Sequence, residues 1–301
     1  MQTKFYYADH WELPLKDGHR FPISKYALLR RKLVLENIVK DSDLVPVDMV
    51  NEELLKLAHD PDYINGVKLQ TLPLHEARKI GLPLTKNLWQ RSRASVNGFL
   101  SATAMAKDVG FSASLSGGTH HAHRDAGEGF CVFNDFAIAA YHHLRLSPGL
   151  RILVIDLDVH QGNGNSSILG QEKDVYLFSM HGQTNYPYKK VDSHLDISLP
   201  KHCDDELYLK SLSDALTKIS KLSFDIIFYQ AGVDPLKEDR FGHLDLSFEG
   251  LMHRDRLVFE FAYSQQLPLA MALGGGYSDP IDLSVEAYAN TYRMAKELYR
   301  F

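Results

Sequence analysis

The stretch Arg151–Gly164, RILVIDLDVHQGNG, sets an apolar run directly before three potential metal ligands and a glycine-rich loop. In extended backbone, residues two apart project from the same face, so Asp156, Asp158 and His160 are expected to point one way. The apolar residues before them read as a parallel strand buried on both faces, and open α/β sheets place their ligands at the C-terminal ends of such strands. A lone carboxylate there is usually a cap or a solvated turn residue. Two aspartates and a histidine at alternating positions point to a site instead.

Working outward, the chain alternates short apolar runs with longer amphipathic ones. Strands are predicted at 111–115, 152–157, 175–179, 226–230 and 269–273, and helices at 88–107, 135–145, 205–222 and 248–266. This is the pattern of βαβ units, a parallel sheet covered by helices on both faces. Asp205 and Glu206 complement the dipole at the start of their helix. The first 80 residues show a helix over 25–40 and a proline-bearing loop near 72–83, with no domain boundary. Composition agrees with a well-packed α/β chain: of 301 residues, 45% are hydrophobic and 24% charged. A net charge of −5 without a long basic run gives nucleic-acid binding no electrostatic support. Such a mildly acidic surface is expected to tolerate basic substrates, but weakly. The two cysteines, Cys131 and Cys203, make no disulfide framework, and the first residues lack the build of a signal peptide. A cytoplasmic location is therefore expected, and no apolar run approaches the roughly 20 residues that span a bilayer.

Further strand ends carry chemistry. Residues 111–115 lead into SGGTHHAH, where Gly117 and Gly118 permit a tight turn presenting His120 and His121. Residues 226–230 lead into AGVDP with Asp234, and residues 269–273 into GGGYSDP with Tyr277. Each alone has an ordinary structural explanation. Their convergence on one sheet edge does not. Asp158, His160 and Asp234 would give two oxygens and one nitrogen with open positions beyond them, the ligand set of catalytic zinc, with Fe²⁺ or Co²⁺ also admitted. A neighbouring histidine to move a proton and a tyrosine to donate to an oxyanion complete the parts for metal-assisted amide hydrolysis.

Taken in order, AHDPDYINGV with His59, SGGTHHA, GFCVFND, IDLDVHQGNG, AGVDPL and LGGGY resemble the zinc-dependent histone deacetylases and their bacterial acetylpolyamine and acetoin-utilisation relatives. Asn163 in IDLDVHQGNG, with EDRFGHLDLS and HRDRLVF, looks most similar to the class IV enzymes. The resemblance implies the arginase/deacetylase fold, a three-layer α/β/α sandwich around a mostly parallel, roughly eight-stranded sheet, as one catalytic domain over residues 1–301. It implies zinc on Asp158, His160 and Asp234, His121 as the main general base and acid beside His120, and Tyr277 as the carbonyl polariser. Asp156 would orient His120 and, with carbonyls of Asp158, His160, Ser179 and Met180, hold a potassium or sodium ion. Gly129, Phe130 and Gly275 would line the acyl-lysine tunnel, its opposite wall coming from residues 181–188. The glycine that the family places in LPKHCDDELY is replaced by His202 or Cys203.

The leading expectation is hydrolysis of an acylated lysine in a protein, or of a related acylated small amine such as an acetylpolyamine, with acetyl or longer fatty acyl groups. A binuclear manganese ureohydrolase of the arginase type would need aspartates where Gly162 and Gly232 stand. A noncatalytic acyl-lysine-binding module would have no use for His121 and Tyr277 together. Asn163 should orient His121 without raising its basicity as an aspartate would, so Asn163→Asp is expected to shift the acidic limb of the rate profile upward.

Overall fold

The computed structural model describes residues 2–301. Eight strands among them, β1 (Phe5–Tyr7), β2 (Leu44–Pro46), β3 (Phe111–Ser114), β4 (Ile152–Asp156), β5 (Val175–Gly182), β6 (Leu195–Leu199), β7 (Ile226–Gln230) and β8 (Leu269–Ala272), form one sheet. The order is β2-β1-β3-β8-β7-β4-β5-β6, and every pairing is parallel. The helices are α1 (Ser24–Leu35), α2 (Glu52–Leu55), α3 (Pro61–Leu69), α4 (Leu74–Ile80), α5 (Lys86–Val109), α6 (Asp135–Leu146), α7 (Asn163–Leu169), α8 (Asp205–Ile219), α9 (Phe248–Ser264) and α10 (Asp282–Tyr299).

The two-residue period of the strands divides the core into two. On one face Leu153, Ile155, Ile227, Tyr229 and Met271 meet α1, α8, α9 and α10. On the other, Ile152, Val154, Ile226, Phe228 and Ala270 meet α5 and α6, so the strands are apolar on both sides and the fold has three layers. The fold class read from the sequence is the one observed.

The five predicted strands and four principal helices are present, with shifted ends. The strand before the metal-ligand motif stops at Asp156, so Asp158 and His160 occupy the following loop, and their convergence does not come from strand alternation as expected. The predicted 25–40 helix ends at Leu35, where Asn37 turns to φ 54°. The proline-bearing segment holds α4, which starts directly after Pro73. Asp205 and Glu206 lie in the first turn of α8 as expected, with Asp204 capping it through the Leu207 amide, and Asp205 also accepts from the Ser247 amide at 2.9 Å and hydroxyl at 2.6 Å, tying α8 to the start of α9. Within LPKHCDDELY, His202 itself takes φ 62°, held by its amide on His243 O at 2.8 Å and its ring beside Asp245.

Candidate active site

The central strands β3, β8, β7 and β4 end side by side, and the loops leaving them build the site. After β3, Gly117 and Gly118 have φ of 84° and 74°, a conformation that suits glycine. A Cβ on Gly117 would stand 2.3 Å from Asp135 Oδ2. That close approach lets the Asp135 carboxylate accept from the amides of Gly118 and Thr119, both at 2.8 Å, and fix the turn that carries the histidine pair. Asp135 stands behind Asn134, which caps α6 through the Ala137 amide at 2.8 Å. Buried His59 in turn accepts the Asn134 amide at 2.8 Å, so AHDPDY and GFCVFND act as scaffold for the turn. HRDRLVF does the same beneath the metal-ligand loops: fully buried Arg254 pairs with Asp255 at 2.8 Å and donates to Gly232 O at 2.5 Å.

The three expected ligands converge. Ligand atoms of Asp158, His160 and Asp234 all lie within 4.8 Å of one another, with both carboxylates buried. His160 Nδ1 is 3.0 Å from Asp158 Oδ1 and 3.0 Å from Asp234 Oδ2. Burial and the nearby Asp158 charge raise the Asp234 carboxyl to about 7. Burial opposes the charge on His160, but its hydrogen bonds to both aspartates prevail and raise it to about 10. Two carboxylates and an imidazole packed this tightly are the donor set and charge balance that a divalent cation satisfies. Gly275 belongs to this cluster: its amide donates to Asp158 Oδ2 at 2.6 Å, and a Cβ there would lie 1.9 Å from Asp234 Oδ2.

Asp156 stands apart from that cluster. Its Oδ2 meets His120 Nδ1 at 2.8 Å, as the resemblance implied. Burial pulls the His120 ring down, but the Asp156 and Asp158 charges prevail and raise it to about 9. His121 differs: burial, with the charges of His120 and His160, holds it well below the usual histidine range. A neutral ring can accept a proton at neutral pH. Its Nδ1 is 2.7 Å from Asn163 Oδ1, so an N–H there leaves Nε2 as the basic nitrogen.

The sequence reading did not find what stands behind Asn163. Its Nδ2 donates to Glu128 Oε1 at 2.7 Å and lies 3.1 Å from His123 Nε2. Burial raises the Glu128 carboxyl, but hydrogen bonds from His123, Asn163 and Tyr186 outweigh it and lower it to about 2. Of the 181–188 segment, Thr184, Asn185, Tyr186 and Tyr188 line the cavity mouth, and Tyr186 reaches furthest toward the histidine pair. Its ring lies 5.1 Å from that of His121, and it lines the mouth together with Gly129 and Phe130. Gly129, at φ 57°, sits where a Cβ would lie 2.7 Å from the His121 ring.

Tyr277 is fixed from three sides. Its amide donates to Asp239 Oδ2 at 2.6 Å, its carbonyl accepts from Arg240 Nε at 2.7 Å, and buried Lys25 lies 4.9 Å from its ring centroid. The Lys25 ammonium donates to the carbonyls of Gly274 and Gly276 at 3.1 and 3.3 Å. Burial lowers it to about 8 despite the attraction of Asp234 and Asp158. Lys25, Asp239 and Arg240 were not singled out from sequence; the last two lie in EDRFGHLDLS. Ser179 is in register with Asp156 across β4 and β5, and Met180 follows it. Inward of the histidines the cavity is lined by Leu13, Phe21, Leu82 and Leu88, with Arg91 and Ser95 among its polar groups.

A parallel sheet whose central strands deliver a carboxylate–imidazole–carboxylate cluster, a histidine pair and a buried tyrosine to one cavity defines a class of α/β proteins with a buried candidate metal site. The sequence assigns the family: residues 19–292 match the histone deacetylase domain, and the chain belongs to the histone deacetylase family. It is 35% identical over 294 residues to an uncharacterised protein of Picosynechococcus, covering 97% of this chain and 98% of that one. It is also 30% identical over 275 residues to histone deacetylase 2 of Arabidopsis thaliana, covering 86% of this chain and 70% of that protein. The acetoin utilization protein AcuC of Bacillus subtilis is 28% identical over 301 residues, covering 92% of this chain and 78% of its own. The fold superposes on an HDAC homologue from Aquifex aeolicus with TM-score 0.84 at 21% identity, covering 100% of this chain and 89% of the other. Among the described residues, no helix is long and apolar enough to cross a membrane.

Proposed function

We propose that the chain is a zinc-dependent amidohydrolase that removes an acyl group from the ε-amine of lysine or from a related acylated amine. The observation that carries this is the pairing, in one cavity, of a neutral His121 with Tyr277 across the Asp158–His160–Asp234 cluster. Those three residues would hold the zinc, with iron or cobalt as alternatives for the same donors. When bound, the metal supplies Lewis acidity toward the acyl carbonyl and acidifies water.

The remaining work belongs to the chain. Phe130 and Tyr186 line the mouth around the amine-bearing stem. His121 Nε2 takes a proton from the attacking water, and Asn163 holds the ring so that Nε2 is free to do so. The Tyr277 hydroxyl donates to the oxygen on which charge develops, an interaction strongest in the transition state. His120, kept protonated by Asp156, adds positive charge to the same cavity. His121 then returns the proton to the departing amine. Asp156, with the carbonyls of Asp158, His160, Ser179 and Met180, would hold the potassium or sodium ion that stiffens the β4 and β5 ends.

A ureohydrolase reading fails on space as well as composition. A Cβ at Gly162 would lie 2.3 Å from Asp156 Oδ2, and one at Gly232 would lie 2.3 Å from Asp158 Oδ2. The test is a panel of lysine peptides bearing acetyl through myristoyl groups, with acetylated polyamines alongside and the metal counted per chain. Turnover of an acylated amine with one divalent metal per active chain is the expected result. Hydrolysis of none of them by metal-loaded protein overturns the reading.

A further inference from the structure

The mouth of the cavity carries a charge opposite to that of the whole chain. Arg20, Arg78, Lys79 and Arg240 line it, and no aspartate or glutamate does among the described residues. The chain's net charge is −5, so a cationic rim does not follow from composition. All four are exposed, and among the described residues none joins an ion pair, although other arginines and lysines of the chain do. Two of them share one aromatic ring: the guanidinium carbons of Arg20 and Arg240 lie 5.9 and 5.6 Å from the Phe241 centroid. The ring face attracts both guanidinium groups and so keeps two positive charges at the opening.

We infer that the substrate is an acylated lysine set in an acidic protein segment, whose carboxylates meet this rim while the acyl-lysine enters between Phe130 and Tyr186. The inference rests on the deacylase reading above and narrows its substrate. The cations come from three separate parts of the chain: the segment before α1, the end of α4 and the loop after β7. An extended peptide with several carboxylates can engage all three, whereas a small amine with one carboxylate cannot. Acetylated polyamines and lysine-rich tails bring further positive charge to the rim and are disfavoured. That reverses the sequence expectation that the mild overall acidity tolerates basic substrates, because the local field at an opening outweighs the net charge of a distant surface within a Debye length of about 8 Å.

The test uses the metal-loaded full chain and three peptides with one acetyl-lysine, flanked by aspartate and glutamate, by serine and glycine, or by lysine and arginine. The kcat/KM order should be acidic, neutral, basic, with roughly 10- to 100-fold between the extremes, carried by KM and collapsing as sodium chloride is raised at fixed potassium. In an Arg78→Glu/Lys79→Glu variant the acidic-to-basic ratio, taken against the neutral peptide of the same variant, should fall at least tenfold. A flat or reversed order in the natural chain, or a ratio untouched by charge reversal, overturns the inference. If neither these peptides nor any acylated amine of the panel above is hydrolysed, the deacylase reading fails instead, and fluorescence anisotropy with the same labelled peptides still reads the rim: equal affinity for acidic and basic peptides refutes it.

Discussion

Replacing Asn163 by aspartate tests how the general base is supported. Considered with His121 alone, the new carboxylate would raise the ring's basicity by about one pKa unit, about 1.4 kcal/mol in favour of the imidazolium. The structure adds a second partner. Glu128 Oε1 is 2.7 Å from the Asn163 atom that would become a carboxylate oxygen, so the substitution replaces one of the hydrogen bonds that lower the Glu128 carboxyl with a facing carboxylate. Even relaxed to about 4 Å, two such charges repel by about 4 kcal/mol at an effective dielectric of 20. That repulsion is the same in the free enzyme and in the transition state, so it lowers the melting temperature rather than raising the barrier, and by pushing the new carboxylate away from His121 it leaves little of the gain in basicity to which the sequence alone pointed. The gain should return once Glu128 is removed: in a Glu128→Ser background, Asn163→Asp should raise kcat/KM and move the acidic limb of the profile upward. The assay is kcat/KM for all four combinations on one acetyl-lysine peptide, with thermal melts to confirm folding. Coupling below about 0.5 kcal/mol would refute the reasoning, since groups in direct contact should depart from additivity by more.

Asp158→Ala or Asp234→Ala should abolish bound metal and activity while leaving the far-ultraviolet circular dichroism unchanged; full metal content by elemental analysis in either would remove that residue from the ligand set. Tyr277→Phe should retain metal and KM and lose roughly 10²- to 10³-fold in kcat, and a loss under about threefold would leave the tyrosine a packing role only. Lys25→Met removes a charge that burial has lowered from 10.5 to about 8, which at about 1.36 kcal/mol per unit offsets the lost hydrogen bonds to the glycine loop. Its melting temperature should therefore stay within a few degrees while kcat falls at least tenfold; a large drop in melting temperature with kcat intact would contradict this. Burial lowers His59 from 6.5 to about 4, so the folded state binds fewer protons than the unfolded chain between those values. Its share of stability is complete above about pH 6.5 and lost as pH falls to about 4, on the order of 3 kcal/mol. Thermal melts from pH 7 to 4 should fall less steeply for His59→Gln than for the natural chain.

What could be read from sequence follows from where the information lies. β4 and β7 are contiguous apolar runs because both faces are buried, and the loops after them carry the candidate ligands within a few residues, so the convergence of Asp158, His160 and Asp234 was legible. β6 alternates half-buried and exposed residues at the sheet edge, and β1 and β2 are three residues each, too short to show a period. α10 escaped because its buried face is made largely of alanine and tyrosine, Ala287, Tyr288, Ala289, Tyr292 and Ala295, which give weak hydrophobic contrast. Lys25 acts on a loop 249 residues away, and Glu128 reaches Asn163 across 35 residues. Neither is adjacent to the residue it supports in any local pattern. That Asn163 orients His121 is legible in the sequence, but what an aspartate there would do depends on Glu128, a neighbour that only folding supplies.

The glycines at 162 and 232 bear on how this fold changes its chemistry over evolutionary time. A second metal would need carboxylates at both positions, yet the first atom of either side chain would lie 2.3 Å from a carboxylate already in use. No single substitution therefore leads from one metal to two along a path of functional intermediates. The backbone after β4 or β7 must retreat first, and Arg254 holds the carbonyls of Leu157 and Gly232 in place from beneath. On this backbone the floor of the cavity has no room for a new side chain, whereas the exposed residues of its rim are open to exchange.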